Sequence, residues 1–492
     1  MQAKQHSSSL KGASFTRILH FAVIFIGAVL YISSAFFDSV WFDEAYTVGA
    51  VSKTLPEMIY LLAYDVHPHL YYVLLKVYSL IFGNSVITLR MFSVIFAIAS
   101  TILGYTHIRK DFGEKAGFWF SFLLVFSFST LKYALQIRMY TLAIFLLTLT
   151  AVYAYRYIKN GDKLSRVLYL AFSILSAYTH YFAFFIVAMI NVFTLARAIK
   201  SKSVKKWSLD AVIQFGGYSV GLAVFIFQIS LGGADWITIS YPDVLYDAAG
   251  HLFFGDIISE SINRESVLYH AIGILLVLLA VGTTVLIALR YKRNKDEYFP
   301  VFYSWVVMLA VLAFVLAVSV FREIFYIRYA VCFTPFIVFS VGFLISKAKL
   351  PIKAVTAVIL IVCFVFAAIP MYCENFSENN IPYSEQLDVR EGDIFILDNF
   401  HAYVCTIEFP ENEVIYNNLW GWPIDETYAL FGKKSVVSRD ISEYDGHVGR
   451  VWTCGDASAE HLDKLENAEI IEEKWVHSDY YNYNLYFRLY EV

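Results

Sequence analysis

Two acidic residues follow the first apolar stretch of the chain directly, in the string Trp41-Phe42-Asp43-Glu44-Ala45-Tyr46. A carboxylate held at a lipid–water boundary can take a proton from a hydroxyl, which is general-base chemistry. The same pair also suits the solvated end of a loop. Further on comes Asp65-Val66-His67-Pro68-His69-Leu70-Tyr71-Tyr72. Pro68 fixes its own φ and restricts His67, so the loop enters the next apolar segment in a set geometry. Asp65 and His67 offer ligands to a metal, a phosphate or a sugar hydroxyl, and His69 and Tyr71 join them as candidate substrate-binding residues. Without fixed helical spacing they assign no metal site.

The complementary charge lies later. Arg138 stands in Gln136-Ile137-Arg138-Met139-Tyr140, and Arg328 in Tyr326-Ile327-Arg328-Tyr329. Both sit at the mouth of an apolar stretch, where a charge is costly unless paired or wetted. One such arginine alone would be read as snorkelling toward the headgroups. Two, each with tyrosines beside it, suit a fork that grips a phosphate. Lys132, Tyr140, Tyr329 and the pair His180-Tyr181 join them as candidate substrate-binding residues. His180 is equally compatible with a packed interfacial histidine.

The elements that must carry these groups are helices in a membrane. Of 492 residues, 58% are hydrophobic and only 16% charged, against about 25% charged in a soluble domain. That excludes a disordered chain, a nucleic-acid binder and an ordinary cytosolic enzyme. Eleven apolar stretches approach the ~20 residues a spanning helix takes: 18–37, 86–108, 116–132, 140–157, 167–181, 182–198, 211–231, 268–290, 299–320, 328–346 and 353–372. The 167–198 stretch divides at His180-Tyr181 into two short or tilted helices. With the N-terminus cytoplasmic, 22 of the 38 Lys and Arg residues fall on inner loops and eight on outer loops and span mouths. That bias follows the positive-inside rule.

The expected architecture is thus an α-helical multi-pass membrane protein of about 11 spans, residues 1–372, with outer loops 38–85 and 232–267. A small extracytoplasmic α/β domain follows at 373–492. Within the first outer loop, 54–64 and 70–83 read as helices lying in the interface, the former opened by Thr54 and Pro56. In the C-terminal part, Asp393–Leu397, Glu413–Tyr416, Ser435–Ser438, Arg450–Thr453 and Tyr480–Tyr490 read as strands, and Ala457–Asn467 as helix. Five cysteines are too few for a disulfide scaffold, though one bridge among Cys373, Cys405 and Cys454 is compatible with the sequence. No Walker loop, dinucleotide fingerprint or zincin helix is present.

In order, W-F-D-E-A-Y, D-V-H-P-x-L-Y-Y, L-R-x-F-S at Leu89–Ser93, R-M-Y-x-L and T-H-Y-F resemble the bacterial branch of the dolichyl-phosphate-mannose–protein mannosyltransferases. These are family-39-type members of the membrane-embedded GT-C glycosyltransferases. The resemblance spans roughly residues 15–345; the lipid A aminoarabinose transferases look like more distant relatives. It implies a GT-C-like catalytic domain and a sugar transferase with a polyprenyl-phosphate-linked donor, moving a hexose or pentose to a protein, lipid or glycan acceptor. It implies Asp43 as catalytic base with Glu44 beside it, a donor site shaped by Asp65, His67 and Pro68, and a donor phosphate held by Arg138 and Arg328. The chain departs from the pattern twice: His69 stands where a second proline is common, and Ile137 where an acidic residue is.

No cofactor is assigned, and a divalent cation is left open. The expected reaction is a single displacement with inversion, at the outer face of the cell membrane. The rival is a polytopic transporter or flippase of lipid-linked glycans, whose mark would be inverted repeats and ionisable residues at mid-membrane. A third reading makes the C-terminal domain a binding module, with Trp420, Trp422, Trp475, Tyr480 and Tyr481 stacking on sugars.

Overall fold

The computed structural model describes residues 2–231, 237–254, 262–377, 380–398, 400–418, 427–465, 467–478 and 483–492. Trp420, Trp422, Tyr480 and Tyr481 lie outside the described residues. The chain forms a multi-pass helical membrane protein with a small sheet domain at its C-terminal end. It divides into two compact units. One comprises residues up to Ala35, Ser93–Phe225 and Ala234–Pro370; the other comprises Phe36–Phe92, Ile226–Gly233 and Met371–Val492.

Among the described residues, nine helices are long and apolar enough to cross a membrane: Phe15–Ser33, Val86–Phe112, Tyr140–Asn160, Tyr181–Lys200, Val204–Ser230, Val267–Arg293, Lys295–Ser319, Ile327–Lys347 and Leu350–Asn375. The expected span 116–132 is a tenth only as a bent pair, Glu114–Val125 and Phe128–Ala134, meeting at 61°. Ser127 makes the break, because its Oγ accepts from the Thr130 N–H at 3.4 Å and restarts the helix. The expected 167–181 is the helix Lys163–Ala177, of 15 residues. It is too short to cross by length alone, so the eleven expected spans become nine or ten. The division at His180 is present, with the Phe182 N–H donating to His180 Nδ1 at 3.1 Å.

Within the helical unit, small and hydroxyl-bearing residues let the helices approach closely. A Cβ on Gly117 would lie 2.7 Å from Arg109 Cβ and 2.9 Å from Arg109 Cα, and would overlap the Gly104 carbonyl oxygen. Gly104 opens a single π-helical turn, Gly104–Ile108. Ser121 Oγ donates to the Thr101 carbonyl at 2.7 Å and lies 2.7 Å from His20 Nε2. These contacts tie Phe15–Ser33, Val86–Phe112 and Glu114–Val125 together.

The second unit contains a helix at each of the two positions where one was expected within 38–85. Leu55–Ala63 begins at Thr54, with Pro56 in its first turn. The Glu57 carboxylate accepts from the Thr54 N–H at 3.0 Å and from Thr54 Oγ1 at 2.7 Å. Leu70–Phe82 is an apolar helix of 13 residues. The C-terminal sheet has six strands: β1 (Ile394–Leu397), β2 (Glu413–Asn417), β3 (Ser435–Ser438), β4 (Arg450–Cys454), β5 (Glu469–Ser478) and β6 (Tyr483–Glu491). Their order is β3-β2-β1-β4-β6-β5. The first four are parallel, and β6 runs antiparallel between β4 and β5. Ile394, Ile396, Ile415, Val451 and Tyr490 form its core with Leu462.

β5 is the element that strand patterning did not reveal. It is an edge strand exposing Ile470, Ile471 and Trp475, so its sequence lacks the alternation of a half-buried strand. Cys332, Cys363, Cys373, Cys405 and Cys454 form no disulfide.

Gly117→Val should fold poorly, because the atoms it meets are backbone and cannot turn aside. Overpacking of this kind costs about 1–3 kcal/mol or more. Thermal unfolding of the purified protein in lipid should show a lowered midpoint, whereas Gly282→Ala, whose Cβ position is open, should leave it unchanged.

Candidate functional site

The carboxylates that follow the first span have two different environments. Asp43 and Glu44 both occupy the first turn of the helix Phe42–Ser52, where a negative charge interacts favourably with the helix dipole. Glu44 is 2% exposed and Arg90 is fully buried. Arg90 Nη2 lies 3.1 Å from Glu44 Oε2 and donates to the Ser39 carbonyl at 3.1 Å. Arg90 Nη1 donates to the Phe37 carbonyl at 2.5 Å, and the guanidinium lies 3.7 Å from the Phe37 ring centroid. A buried ion pair survives when its remaining donors and lone pairs are satisfied in this way. Glu44 is therefore engaged in holding the segment 37–44, and Asp43 lies half-buried beside it.

Asp65, 4% exposed, accepts from Tyr72 OH at 2.7 Å through Oδ2 and from the Val66 N–H at 2.7 Å through Oδ1. His67 is buried; its carbonyl accepts from Gln228 Nε2 at 3.4 Å, and the same amide donates to the Leu62 carbonyl at 3.0 Å. His69 Nε2 lies 2.9 Å from that Leu62 oxygen. Burial pushes the His69 pKa below its ordinary value, against the Leu62 bond and the Asp65 charge. Tyr71 is fully buried, with its ring 5.5 Å from that of Phe92. Asp65, His67, His69 and Tyr71 thus come together around one loop.

The cationic residues assemble within the helical unit. Arg138, 2% exposed, sits in the short non-helical link before Tyr140–Asn160. Ser93 Oγ donates to the Arg138 carbonyl at 3.2 Å, and Thr141 Oγ1 to the Ser93 carbonyl at 2.8 Å. Tyr140 packs at 4.7 Å from Tyr133 and 6.2 Å from His180. On its other side His180 meets Tyr329 at 5.0 Å. Arg328 lies over the Tyr326 ring at 4.8 Å.

His180, in the turn between two helices, is 2% exposed. Burial, then the charges of Arg138 and Arg328, push its pKa down to about 3. The imidazole is thus neutral, with Nδ1 accepting from Phe182, and the two guanidiniums supply the positive charge of the cluster. Lys132 is half-buried one turn before the link. Tyr181 turns aside, its ring 4.4 Å from Phe225. Ile137 is fully buried, which suits its apolar side chain where an acid would need a partner.

The structure brings Tyr140, His180 and Tyr329 into contact, with the charges of Arg138 and Arg328 acting on His180. Arg90, Tyr72 and Gln228 were not singled out as site residues. Arg90 had a signal, since an arginine inside an apolar helix demands a buried partner. Gln228, distant in sequence from the loop it holds, had none. Among the described residues no three of His, Cys, Asp and Glu gather as a metal-binding set.

No protein-family model and no curated protein matches the chain. Among solved structures it is similar to ArnT from Cupriavidus metallidurans in the apo state, with 10% identity and a TM-score of 0.47 over 97% of this chain and 98% of that one. It is also similar to the same protein bound to undecaprenyl phosphate, with 11% identity and a TM-score of 0.45 over 96% and 97%. A third likeness is to the Archaeoglobus fulgidus oligosaccharyltransferase in complex with Zn and sulfate, with 11% identity and a TM-score of 0.45 over 88% and 68%. At such identities and scores no residue role passes from them to this chain.

Removing either partner of the Arg90–Glu44 pair strands a buried charge. Arg90→Ala or Glu44→Ala should destabilise by about 3–5 kcal/mol, and the two losses should be strongly non-additive in a double-mutant cycle of chemical unfolding. His180 gives a pH test. Its folded pKa lies below its unfolded value, so its contribution is intact above pH ~6.5. It falls as acidification from there toward about 3 protonates the unfolded chain first. His180→Gln should therefore flatten the acid side of the stability profile and leave stability's pH dependence above ~7 unchanged.

Proposed function

We propose that this protein is a GT-C-type glycosyltransferase. It moves a hexose or pentose from a polyprenyl-phosphate-linked donor to an acceptor hydroxyl at the outer face of the membrane, with inversion at the anomeric carbon. The observation that carries the reading is the Arg138–His180–Arg328 cluster. The charges of two guanidiniums act on an imidazole that burial keeps neutral, so the cluster carries positive charge that attracts an anion. Tyrosine rings wall it. A phosphodiester joined to a sugar and a long apolar chain matches that chemistry, and the ordered motifs from Asp43 to Arg328 support the same class.

In this mechanism Asp43 takes the proton of the acceptor hydroxyl. The acceptor oxygen bonds to the anomeric carbon as the bond from that carbon to the phosphate oxygen breaks. The electron pair leaves on the polyprenyl phosphate, and Arg138 and Arg328 stabilise its growing charge. Glu44 acts through Arg90 to hold the segment bearing Asp43. Asp65, with Tyr72, keeps the loop Asp65–His69 in shape beside the donor. The N-terminus is cytoplasmic and the C-terminal domain extracytoplasmic, from the distribution of basic residues.

The test is transfer by purified protein in lipid, with a panel of polyprenyl-phosphate sugars and release of free polyprenyl phosphate as readout. Asp43→Asn should lower turnover by about 10²–10⁴-fold without changing the unfolding midpoint. Arg328→Ala should weaken donor affinity about tenfold or more, as the loss of a charge-assisted hydrogen bond predicts. Near-normal transfer by both folded variants would remove these residues from the chemistry. Absence of release from every donor by folded wild type would favour the transporter.

A further inference from the structure

The helix that begins with Phe42 and Asp43 carries an aromatic and small-residue stripe. Phe42, Tyr46 and Gly49 fall at spacings of four and three residues, so they share one face. That face lies against the C-terminal segment of the same compact unit. Phe42 stacks on Phe400, with centroids 5.1 Å apart and planes 18° from parallel. Tyr46 stacks on Phe431 at 5.8 Å and 19°, and meets Tyr403 edge-on at 5.9 Å. Gly49 leaves room for the same Phe431 ring, because a Cβ there would overlap it.

These rings are themselves fixed. Phe400 caps the helix His401–Glu408, which follows β1. Tyr403 and Phe431 are buried and pack edge to face at 4.9 Å. On other sides the Phe42–Ser52 helix is held by Arg90 through Glu44, and by Tyr46 OH donating to the Leu61 carbonyl at 3.3 Å. Asp43 adjoins the stripe, one residue or about 100° around the helix from Phe42. Locking the stripe therefore fixes the direction in which Asp43 points.

We propose that the C-terminal domain sets the rotation of the helix Phe42–Ser52, and thereby the aim of the Asp43 carboxylate, with Phe400 and Phe431 as its positioning residues. The inference rests on the reading of Asp43 as the base. It gives the C-terminal domain a part in the reaction that none of its own motifs indicates. Misplacing a reacting group by about 1 Å can cost ~10²-fold in rate, so the loss of one ring stack should be visible in turnover while donor binding, assigned to other residues, is spared.

The experiment uses the full chain in lipid nanodiscs, with whichever polyprenyl-phosphate sugar the panel identifies. Phe400→Ala should lower kcat about 10- to 100-fold and leave the donor KM within about threefold, and Phe400→Tyr, which keeps the ring, should restore kcat. Hydrogen–deuterium exchange supplies a readout independent of catalysis: peptides covering 42–52 should exchange faster in Phe400→Ala, while those from β1 and β4 stay unchanged. Should Phe400→Ala fail to fold, Phe400→Leu, which keeps apolar volume without the ring face, is read the same way. Wild-type kcat and unchanged exchange in 42–52 would overturn the proposal, even with Asp43→Asn inactive. An active Asp43→Asn with accelerated 42–52 exchange in Phe400→Ala would instead leave the packing intact and remove Asp43 as base.

Discussion

A single buried guanidinium organises the segment that follows the first span. Arg90 rises from a largely apolar helix and is fully buried, which is tolerable only if every donor is used. It meets that demand with the Glu44 carboxylate and the carbonyls of Phe37 and Ser39. Backbone groups that would otherwise be left orphaned after the first span are thereby satisfied. The same contacts set where the helix Phe42–Ser52 begins, and so where Asp43 emerges. Low dielectric makes such a pair a strict constraint: intact it holds the segment, and with one partner removed it exposes an unpaired charge to the interior.

A second constraint is the discharge of His180. Two arginines near one imidazole could not share a dry turn with a third positive charge. The protein resolves this by keeping the histidine neutral, with Nδ1 spent on the Phe182 N–H. The positive charge near the turn then belongs to arginines, which do not titrate in the physiological range. Aromatic rings on both sides of the imidazole, Tyr140 and Tyr329, keep its plane in place.

Much of the fold was legible because membrane helices announce themselves in composition. Long apolar stretches with basic flanks marked nine spans and the bent tenth. The capping signal at Thr54 marked an interfacial helix within a residue or two. Parallel strands buried on both faces, such as Ile394–Leu397, were legible as short apolar runs. β5 was not, because Glu469–Ser478 lies at the sheet edge and mixes charge with exposed Ile and Trp. The bounds of Lys163–Ala177 lie four residues earlier than expected, since hydropathy continues through the turn at Tyr178–His180 that ends the helix.

By itself the sequence determined that the chain lives in a bilayer, where its long apolar helices run, and that a small sheet domain follows them. Those properties depend on local composition and on neighbours in the chain. Only the tertiary structure paired Glu44 with Arg90, because the two lie on different helices. Only it showed that His180 is neutral, since that follows from burial and from two arginines distant in sequence. It likewise decided that Phe400 and Phe431 stack on Phe42 and Tyr46. Contacts across hundreds of residues arise from packing, and packing leaves no periodic trace in the sequence.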